Sequence, residues 1–579
     1  MATRKRSTVW LYFDHIDQNP SKVKCQACGE TVQHSGNTSN MLKHLKKKHP
    51  VESAEIEAKR KEDATASTSA YESPKAKSLT SKLLKMIAVD IQPLSIVDDQ
   101  GFREFAREMD PRYVLPSRRS LVRTDFPQLF QRAQSDVKSI LTEVSDRDIT
   151  LTTDLWTSRA GEAYMSLTCH YISKDWKFRS HILSTSHLPG EHTAHAIAEK
   201  LTTEAEEWGI SEKIQAIVTD NGANMVAGVR VAGFKQIPCF AHSLNLVVQD
   251  SLNSSQSVGP ILQKCNSVVT YFHHSTKAMD KLREIQQQIN LPMHKLINSV
   301  VTRWNSVFYM LERNVEQNQA ITTALCVLGR STMCLCEEEL EKIKDMITAL
   351  RPYEEVTREL SAEKFVSISK VIPLSTLLLT SSSDLSKKGN EVACQLAQQC
   401  KKRFMNIEQN YPLAASTWFD PRFKSLTFKN NDNIKVTKEK IIHELQKMKP
   451  VPAPTDLDDS PAVPPEEKGG IWTMFDQAKK KNQEQRTSSS MVDAHIEMRM
   501  YGDEQLMSRE TDPLEWWRSR EECLKFSSKL ARKYLGIVAT SVPSERLFSK
   551  AGQLISDRRA SLKPKNVNML LFLNDYLNQ

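Results

Sequence analysis

The chain has 579 residues, 39% of them hydrophobic, and a formal net charge of +9. This length predicts roughly two to four domains. The 11 cysteines show no disulfide framework, no secretory leader opens the chain, and no stretch approaches the about 20 apolar residues of a membrane span. These features exclude a secreted disulfide scaffold and a membrane protein. They predict an intracellular protein in a reducing compartment.

The first 50 residues carry much of the positive charge. They hold nine Lys or Arg and three Asp or Glu, so 9 − 3 gives +6 in this segment. A basic module on a mildly basic chain predicts a polyanionic partner, most simply nucleic acid. The alternative is a solubilising tail.

Two pairs of metal-ligand residues lie within this basic segment. Cys25 and Cys28 form a C-x2-C pair, and after fifteen intervening residues His44 and His49 form an H-x4-H pair. Two thiolates and two imidazoles are a closed tetrahedral set, which predicts a structural Zn²⁺ ion. The sequence pattern of residues 39–48 predicts a helix. Its lysines are predicted to contact DNA phosphates, with protein contact alone as the alternative: Lys43, Lys46 and Lys47.

The next two segments predict a linker and a helical element. Residues 52–78 are rich in Ala, Ser, Thr, Lys and Glu and predict a flexible linker. Residues 79–144 show helical periodicity, interrupted at Pro111 and Pro116. This element is interpreted either as a small helical bundle or as a DNA-binding or dimerisation element.

Strand-like stretches follow. The stretch 149–158, ITLTTDLWTS, predicts a strand with Asp154 near its end, and 163–173 and 178–188 predict two more strands of an antiparallel meander. A predicted helix then leads to a buried strand that ends at Asp220. That strand is expected to run parallel to its predecessor or to the first strand. Both aspartates then lie at carboxyl-terminal strand ends, in the order of elements found in ribonuclease-H-like nucleases.

The acidic candidates also have structural explanations. Asp154 is alternatively a strand-end residue paired with Arg159, and Asp220 alternatively caps a helix. Glu545 lies in the first turn of a helix predicted to begin near Pro543. Its alternative role is a favourable interaction with the helix dipole.

Cys239 and His242 form a C-x2-H pair after Asp220. This pair is more typical of a buried cysteine and a helix-starting histidine than of a metal site. His242 is alternatively a phosphate contact beside the acidic residues.

Motifs along nearly the whole chain resemble hAT-family DNA transposases, in the branch that carries an amino-terminal BED-type zinc finger. The finger has the family's aromatic residues ahead of its first cysteine. The other matching stretches are DLWTS, VTDNGANM, CFAHSLNLV, VTRWNS, WFDPRFK, DPLEWW and residues 540–577.

The resemblance implies an α/β fold with a ribonuclease-H-like core, interrupted by a large all-helical insertion and preceded by a small zinc finger. The implied domains are the finger at 1–51, the linker at 52–78, the helical element at 79–144, the first part of the core at 145–248, the insertion at 249–510, and the last part of the core with the dimerisation region at 511–579. A proline-rich stretch at 449–470 predicts a disordered loop within the insertion.

The resemblance also implies a catalytic site. The family's catalytic carboxylates map onto Asp154, Asp220 and Glu545, which would bind Mg²⁺ or Mn²⁺ for DNA cleavage and strand transfer. His242 matches a histidine beside that site. Arg303 and Trp304 match a pair in which the tryptophan stabilises a base beside a DNA hairpin, with an ordinary core tryptophan as the alternative.

The implied partners are double-stranded DNA, at transposon ends and target, and further copies of the chain in a homodimer or higher homo-oligomer. Neither a membrane nor a small-molecule substrate is implied, and the implied location is the nucleus. The complete acidic triad favours an active transposase. The alternative is a domesticated nuclear DNA-binding regulator, or a SUMO ligase-like protein, for which the sequence offers no RING-like cysteine pattern.

Overall fold

The computed structural model describes the chain except for residues 1–7, 17–20, 35–37, 58–73, 159–160, 301–302, 362–365, 449–474, 476–489 and 556–561. The predicted loop 449–470 and residues 58–73 of the predicted linker therefore lie outside the described residues. The chain divides into two compact units, 1–130 with residue 578, and 131–577 with residue 579.

The first unit begins with a small antiparallel sheet and a helix. These elements are β1 (Phe13–His15), β2 (Lys22–Cys25), β3 (Thr31–Gln33) and α1 (Ser39–Lys48). Met41 and Leu45 of α1 are fully buried in one cluster with Phe13 and Val23. The predicted helix is confirmed. Its core is so small that a metal ion is needed to stabilise the module.

The remaining described elements of the first unit are helical. Residues 50–57 are helical, and α2 (Pro74–Val89) and α3 (Gln100–Met109) follow. A further helix, α4 (Phe126–Thr142), leads into the second unit. α2 starts before the predicted residue 79, since Ala76 is already buried on its inner side.

The second unit is built on a five-stranded sheet with spatial order β6-β5-β4-β7-β8. Its strands are β4 (Ile149–Thr157), β5 (Ala163–Ile172), β6 (Phe178–His187), β7 (Ile214–Thr219) and β8 (Gln236–Pro238). The first three are antiparallel, which confirms the predicted meander. After α5 (Ala194–Trp208), β7 runs parallel to β4, so the strand ending at Asp220 lies beside the first strand.

The described residues that follow the sheet are mainly helical. α6 (Ala223–Val231) lies between β7 and β8, and α7 (Phe240–Ser254) runs through the predicted boundary between 248 and 249. The later helices are α8 (Val258–His274), α9 (Thr276–Gln288), α10 (Trp304–Glu316), α11 (Asn318–Val327), α12 (Glu337–Leu360), α13 (Val371–Lys387), α14 (Glu391–Phe404), α15 (Tyr411–Phe419), α16 (Asn431–Lys447) and α17 (Ser490–Asp503). None of the helices in the described ranges combines the length and apolarity needed to cross a bilayer.

The carboxyl-terminal helices return to the sheet. They are α18 (Pro513–Arg520), α19 (Ser527–Leu535), α20 (Val542–Leu554) and α21 (Pro564–Asn578). The Asn568 side chain accepts a hydrogen bond from the Thr185 amide over 2.7 Å, and Phe572 stacks on Trp208 at 5.8 Å. The apolar residues of α21 are therefore buried within the same chain.

Two of the quoted motifs pack against each other. The indole of Trp517 donates to the Phe419 carbonyl over 2.7 Å, and the Tyr501 hydroxyl donates to the Trp418 carbonyl over 2.8 Å. All four aromatic residues are buried. WFDPRFK and DPLEWW thus fix α15, α17 and α18 together.

Candidate functional site

The four predicted zinc ligands come together in the finger. Cys25 ends β2, Cys28 lies in the following turn, His44 is on α1 and His49 directly follows that helix. Their ligand atoms all lie within 4.8 Å of one another. Gly29 adopts a φ of 74°, and its amide donates to the Cys25 carbonyl over 2.8 Å. A tight local turn therefore brings the two cysteines together.

The surroundings of the histidines fit a zinc ion. The Nε2 atom of His49 is buried and has no hydrogen-bond partner in the part of the chain that the structure describes, although a buried ring nitrogen normally has one. Burial lowers the pKa of His44, which favours the neutral imidazole that binds metal. Glu30 lies 3.7 Å from Nδ1 of His44, where it helps to orient the ring. The finger is a structural zinc site.

The predicted phosphate-contacting lysines project from α1 on the side away from its buried residues. The exposed residues are Lys43, Lys46 and Lys47. Lys46 also pairs with Glu57 over 2.8 Å. Both partners are exposed, so little free energy is needed to exchange this pair for a phosphate.

Asp154 lies within β4, which continues to Thr157 and so runs past the expected strand end, and Asp220 directly follows the neighbouring strand β7. The parallel register pairs Thr152 of β4 with Val218 of β7, and each aspartate stands two residues further along the chain. The Asp154 carboxylate accepts a hydrogen bond from the next backbone amide over 2.8 Å. The Asp220 carboxylate accepts one from the amide two residues on, over 3.1 Å. Asp220 therefore also stabilises the turn before α6.

α20 carries the third predicted carboxylate. Glu545 lies in its first turn, two residues after Pro543, as predicted. Ser544 is fully buried, and its hydroxyl lies 2.9 Å from the hydroxyl of Thr152 on β4. One turn later Phe548 stacks on Trp156, with ring centroids 5.7 Å apart. These contacts hold α20 against the strand that leads to the first aspartate.

The three carboxylates influence one another electrostatically. Burial, then the charge of Asp220, then that of Glu545 raise the pKa of Asp154 to about 7. Burial also raises the pKa of Glu545, while Arg303 and His242 oppose that change. In the described ranges these carboxylates do not form a group whose ligand atoms all lie within 4.8 Å. Carboxylates that flank two ions need no such convergence.

Cys239 and His242 have the structural positions that their spacing predicts. Cys239 is fully buried and caps α7, and His242 lies in the first turn of that helix. The Cys239 thiol accepts from the His242 amide over 3.4 Å and from the Ser541 amide over 3.3 Å. One side chain thus connects the beginnings of α7 and α20. This connection brings His242 close enough to lower the pKa of Glu545.

Arg303 and Trp304 have different surroundings. Arg303 is exposed, and its charge lowers the pKa of Glu545, so it lies beside the acidic site. Trp304 is 3% exposed, and its amide donates to the Asn245 side chain over 3.3 Å. This environment agrees with the core alternative for Trp304. Its contact with a DNA base stays a prediction and requires the indole to leave the core.

A buried chain of hydroxyl groups behind the acids was not predicted. The hydroxyl of Thr152 lies 2.5 Å from that of Thr168, which lies 2.8 Å from Nε2 of His170. Burial lowers the pKa of His170 to about 3, so this ring is neutral. The sequence feature that could have indicated this hydroxyl chain was the run of threonines in β4, inside an otherwise apolar strand.

Four family models match successive parts of the chain. The BED zinc finger matches 7–50, the ZBED1 RNase-like domain matches 152–231, the ZBED1 RNase-like helical domain matches 237–349, and the hAT family C-terminal dimerisation region matches 497–577. The first match implies DNA binding, and the last implies oligomerisation.

Known proteins align with almost the whole chain. It is 27% identical over 99% of its length to zinc finger BED domain-containing protein 4 of Homo sapiens, covering 52% of that protein. It is 24% identical over 96% of its length to the putative AC transposase of Zea mays, covering 72% of it. The chain spans about half the length of the human relatives that it matches. The chain thus matches, in this order, a BED finger, an RNase-like domain, its helical domain and a hAT dimerisation region, and it is similar both to BED-finger proteins and to putative AC transposases.

Proposed function

We propose that this protein is a DNA transposase, which binds transposon ends and uses divalent metal ions to cut DNA and join it to a target. The observation that carries the proposal is the placement of Asp154 and Asp220 on neighbouring strands, with the helix that carries Glu545 packed against the same sheet. Burial and the two neighbouring acids raise the pKa of Asp154, which agrees with this placement. Carboxylates held close enough to repel one another are typical of a functional site.

The donor set fits Mg²⁺ or Mn²⁺. These hard ions prefer carboxylate oxygens, and a divalent charge offsets the repulsion among the acids. When bound, such ions activate the attacking hydroxyl group and stabilise the leaving oxygen of a phosphodiester. Asp154, Asp220 and Glu545 would hold them.

The chain itself positions these carboxylates and the DNA. Two acids project from neighbouring strands, and the third is held by the contact between Ser544 and Thr152. The exposed guanidinium of Arg303, beside Glu545, suits a DNA phosphate. We also propose that His242, in the first turn of α7, contacts a phosphate there. The family resemblance supplies the order of steps: nicking, a hairpin on the flanking DNA, and joining of the transposon 3′ end.

The other domains support the same proposal. The exposed lysines of α1 suit the phosphates of double-stranded DNA. A dimerisation region suits a homodimer or higher homo-oligomer that holds two transposon ends. With DNA as its partner, the protein is proposed to act in the nucleus. We also propose the domain boundaries that the sequence predicts.

The test uses the DNA that flanks the gene of this protein as substrate. Purified full-length chain is incubated with it and Mg²⁺ or Mn²⁺, and sequencing detects excision and flanking hairpins. We expect metal-dependent cutting that Asp220→Ala abolishes. Asp175→Ala removes an exposed carboxylate on the connection between β5 and β6 and is the matched control that keeps activity.

A DNA-binding regulator without cleavage is the second candidate. Within the described ranges, the finger provides the ligand group that converges within 4.8 Å, whereas the acidic residues do not. The regulator is favoured if the wild-type chain binds DNA but does not cut it with either ion. Cutting that persists in Asp220→Ala would contradict the proposed catalytic site.

A further inference from the structure

A cavity of about 250 Å³ lies beside the acidic site, where the beginning of α7 meets the end of α14. Ser243 lines this cavity, and its hydroxyl accepts a hydrogen bond over 3.2 Å from the side chain of Asn221, which directly follows Asp220. Ala539, three residues before α20, lines it as well. The cavity therefore adjoins the elements that carry two of the proposed catalytic carboxylates.

The walls of this cavity suit a flat ring. Phe240 and Phe404 both line it, with their ring centroids 5.1 Å apart. The other large aliphatic side chains of the lining are Ile368, Val371, Ile407 and Leu413. An apolar cavity of about 150 Å³ holds benzene, so this cavity has room for the larger ring of a nucleobase. Aromatic and apolar side chains are the groups that hold a single base in a protein pocket.

Asn410 supplies the cavity with a hydrogen-bonding group that its own helix does not use. It stands directly before α15, where an asparagine normally accepts a hydrogen bond from an amide of the first turn. Asn390, directly before α14, accepts such a bond over 2.9 Å. The Oδ1 atom of Asn410 is instead buried and has no hydrogen-bond partner among the described residues. A donor from a bound molecule would satisfy this atom.

Two basic residues near the end of α14 complete the lining. Arg403 donates to Asp250 through Nη2 over 2.6 Å, while its Nε atom is buried without a partner in the part of the chain that the structure describes. Lys402 is exposed. The Watson–Crick edge of a base carries both a donor and an acceptor, which suit Asn410 and Arg403. A phosphate of the same nucleotide suits Lys402.

We propose that this cavity binds one unpaired nucleobase of a DNA strand at the acidic site, with Phe240 and Phe404 against the ring. Asn410 and Arg403 bond to its edge. Neither Arg303 nor Trp304 lines the cavity, so this base is not the one that the family resemblance assigns to that pair. The inference rests on the proposed function, because it places DNA at the acidic site.

DNA binding without divalent ions tests this inference separately from cleavage. Fluorescence anisotropy compares the affinity of the full-length chain for two short single strands, one made only of abasic residues and one that also carries a single central adenine. We expect the strand with adenine to bind about 10-fold more tightly. Asn410→Leu should abolish this preference, because it removes the amide, and it should change the melting temperature little, because no capping bond is lost.

Matched variants separate base binding from folding and from charge. Asn390→Leu removes an asparagine that does cap its helix, so it should lower the melting temperature and keep the preference for adenine. Lys402→Ala should weaken the binding of both strands alike. Lys401→Ala should leave both affinities unchanged, because Lys401 is also exposed but does not line the cavity.

Added deoxynucleoside monophosphates identify the source of the base. If they bind to the wild-type chain but not to Asn410→Leu, and the strands show no preference for adenine, the occupant is a free nucleotide and not DNA. Equal affinity for both strands without nucleotide binding overturns the proposal, as does a preference that persists in Asn410→Leu. A chain that prefers the adenine strand but does not cut DNA would contradict the proposed cleavage and support this binding site.

Discussion

The zinc finger and the proposed acidic metal site of this protein are assembled in opposite ways. The finger takes its four ligands from 25 consecutive residues, since 49 − 25 + 1 = 25, and brings their ligand atoms within 4.8 Å. The acidic site takes its carboxylates from residues as far apart as 545 − 154 = 391 positions. The geometry of the acidic site depends on a sheet and a helix that are already packed against each other.

This difference separates the roles of the two metals. In the finger the metal replaces a hydrophobic core, so metal binding and folding are one event. The acidic site has its own scaffold, and burial together with the neighbouring carboxylates raises the pKa of Asp154. Zinc thus supports the structure of the finger, whereas in the proposed acidic site Mg²⁺ or Mn²⁺ would serve the chemistry.

The largest expected effect is the loss of the finger. Cys25→Ser removes one thiolate from a site whose zinc contributes roughly 10–16 kcal/mol in isolated fingers. We expect zinc to be lost and specific DNA affinity to fall by about 10³-fold, toward non-specific binding. Elemental analysis and fluorescence anisotropy measure both. Retained zinc with normal DNA affinity would show that the four ligands do not act as one site.

Removing one acidic charge is expected to act on cleavage alone. Glu545→Gln keeps the size of the side chain and should reduce the cleavage rate by about 10²–10³-fold, the loss typical of one preorganised charged or polar group. Zinc content and DNA affinity should remain unchanged. Gel-based cleavage assays measure the rate. A parallel loss of DNA affinity would mean that the acidic residues serve the fold.

The scaffold of the acidic site is tested through its buried hydroxyl chain. Thr152→Val keeps the shape but leaves Ser544 and Thr168 without this partner, which costs about 1–3 kcal/mol of unfolding free energy. Urea unfolding measures it. Thr202→Val is the control, because that hydroxyl bonds to its own helix, and a change of about 0.5 kcal/mol or less is expected. Equal losses of unfolding free energy in the two variants would show that the buried hydroxyl groups have no special role in stability.

The smallest expected effect is a pH dependence of stability without added Mg²⁺ or Mn²⁺. The pKa of Asp154 is about 7 in the fold and about 3.9 in an unfolded chain. The unfolded state therefore loses its proton first, and stability falls as the pH rises between these values and then levels off. We expect calorimetry to show a melting temperature about 2 °C lower at pH 8 than at pH 5. Asp154→Asn, or added Mg²⁺, should reduce this fall.

The same difference between local and long-range assembly explains which site residues could be predicted from the sequence. The zinc ligands follow from spacing because their geometry is local, and Asp154 and Asp220 follow from positions at or near the ends of predicted strands. Glu545 required the family resemblance, since no local pattern connects it to β4. The contact between Ser544 and Thr152, the burial of Trp304 and the packing of α21 depend on tertiary structure. The spacing of apolar residues along the sequence does not reveal such contacts.

The late position of α20 has a consequence for incomplete chains. A product that stops between residues 50 and 545 still contains every zinc ligand and every lysine of α1, but it lacks the third acid. Under the proposed function, such a fragment would occupy the same DNA sequences without the means to cut them. Premature termination, alternative splicing or proteolysis between the finger and α20 would then convert the gene product into a competitor of the full-length protein.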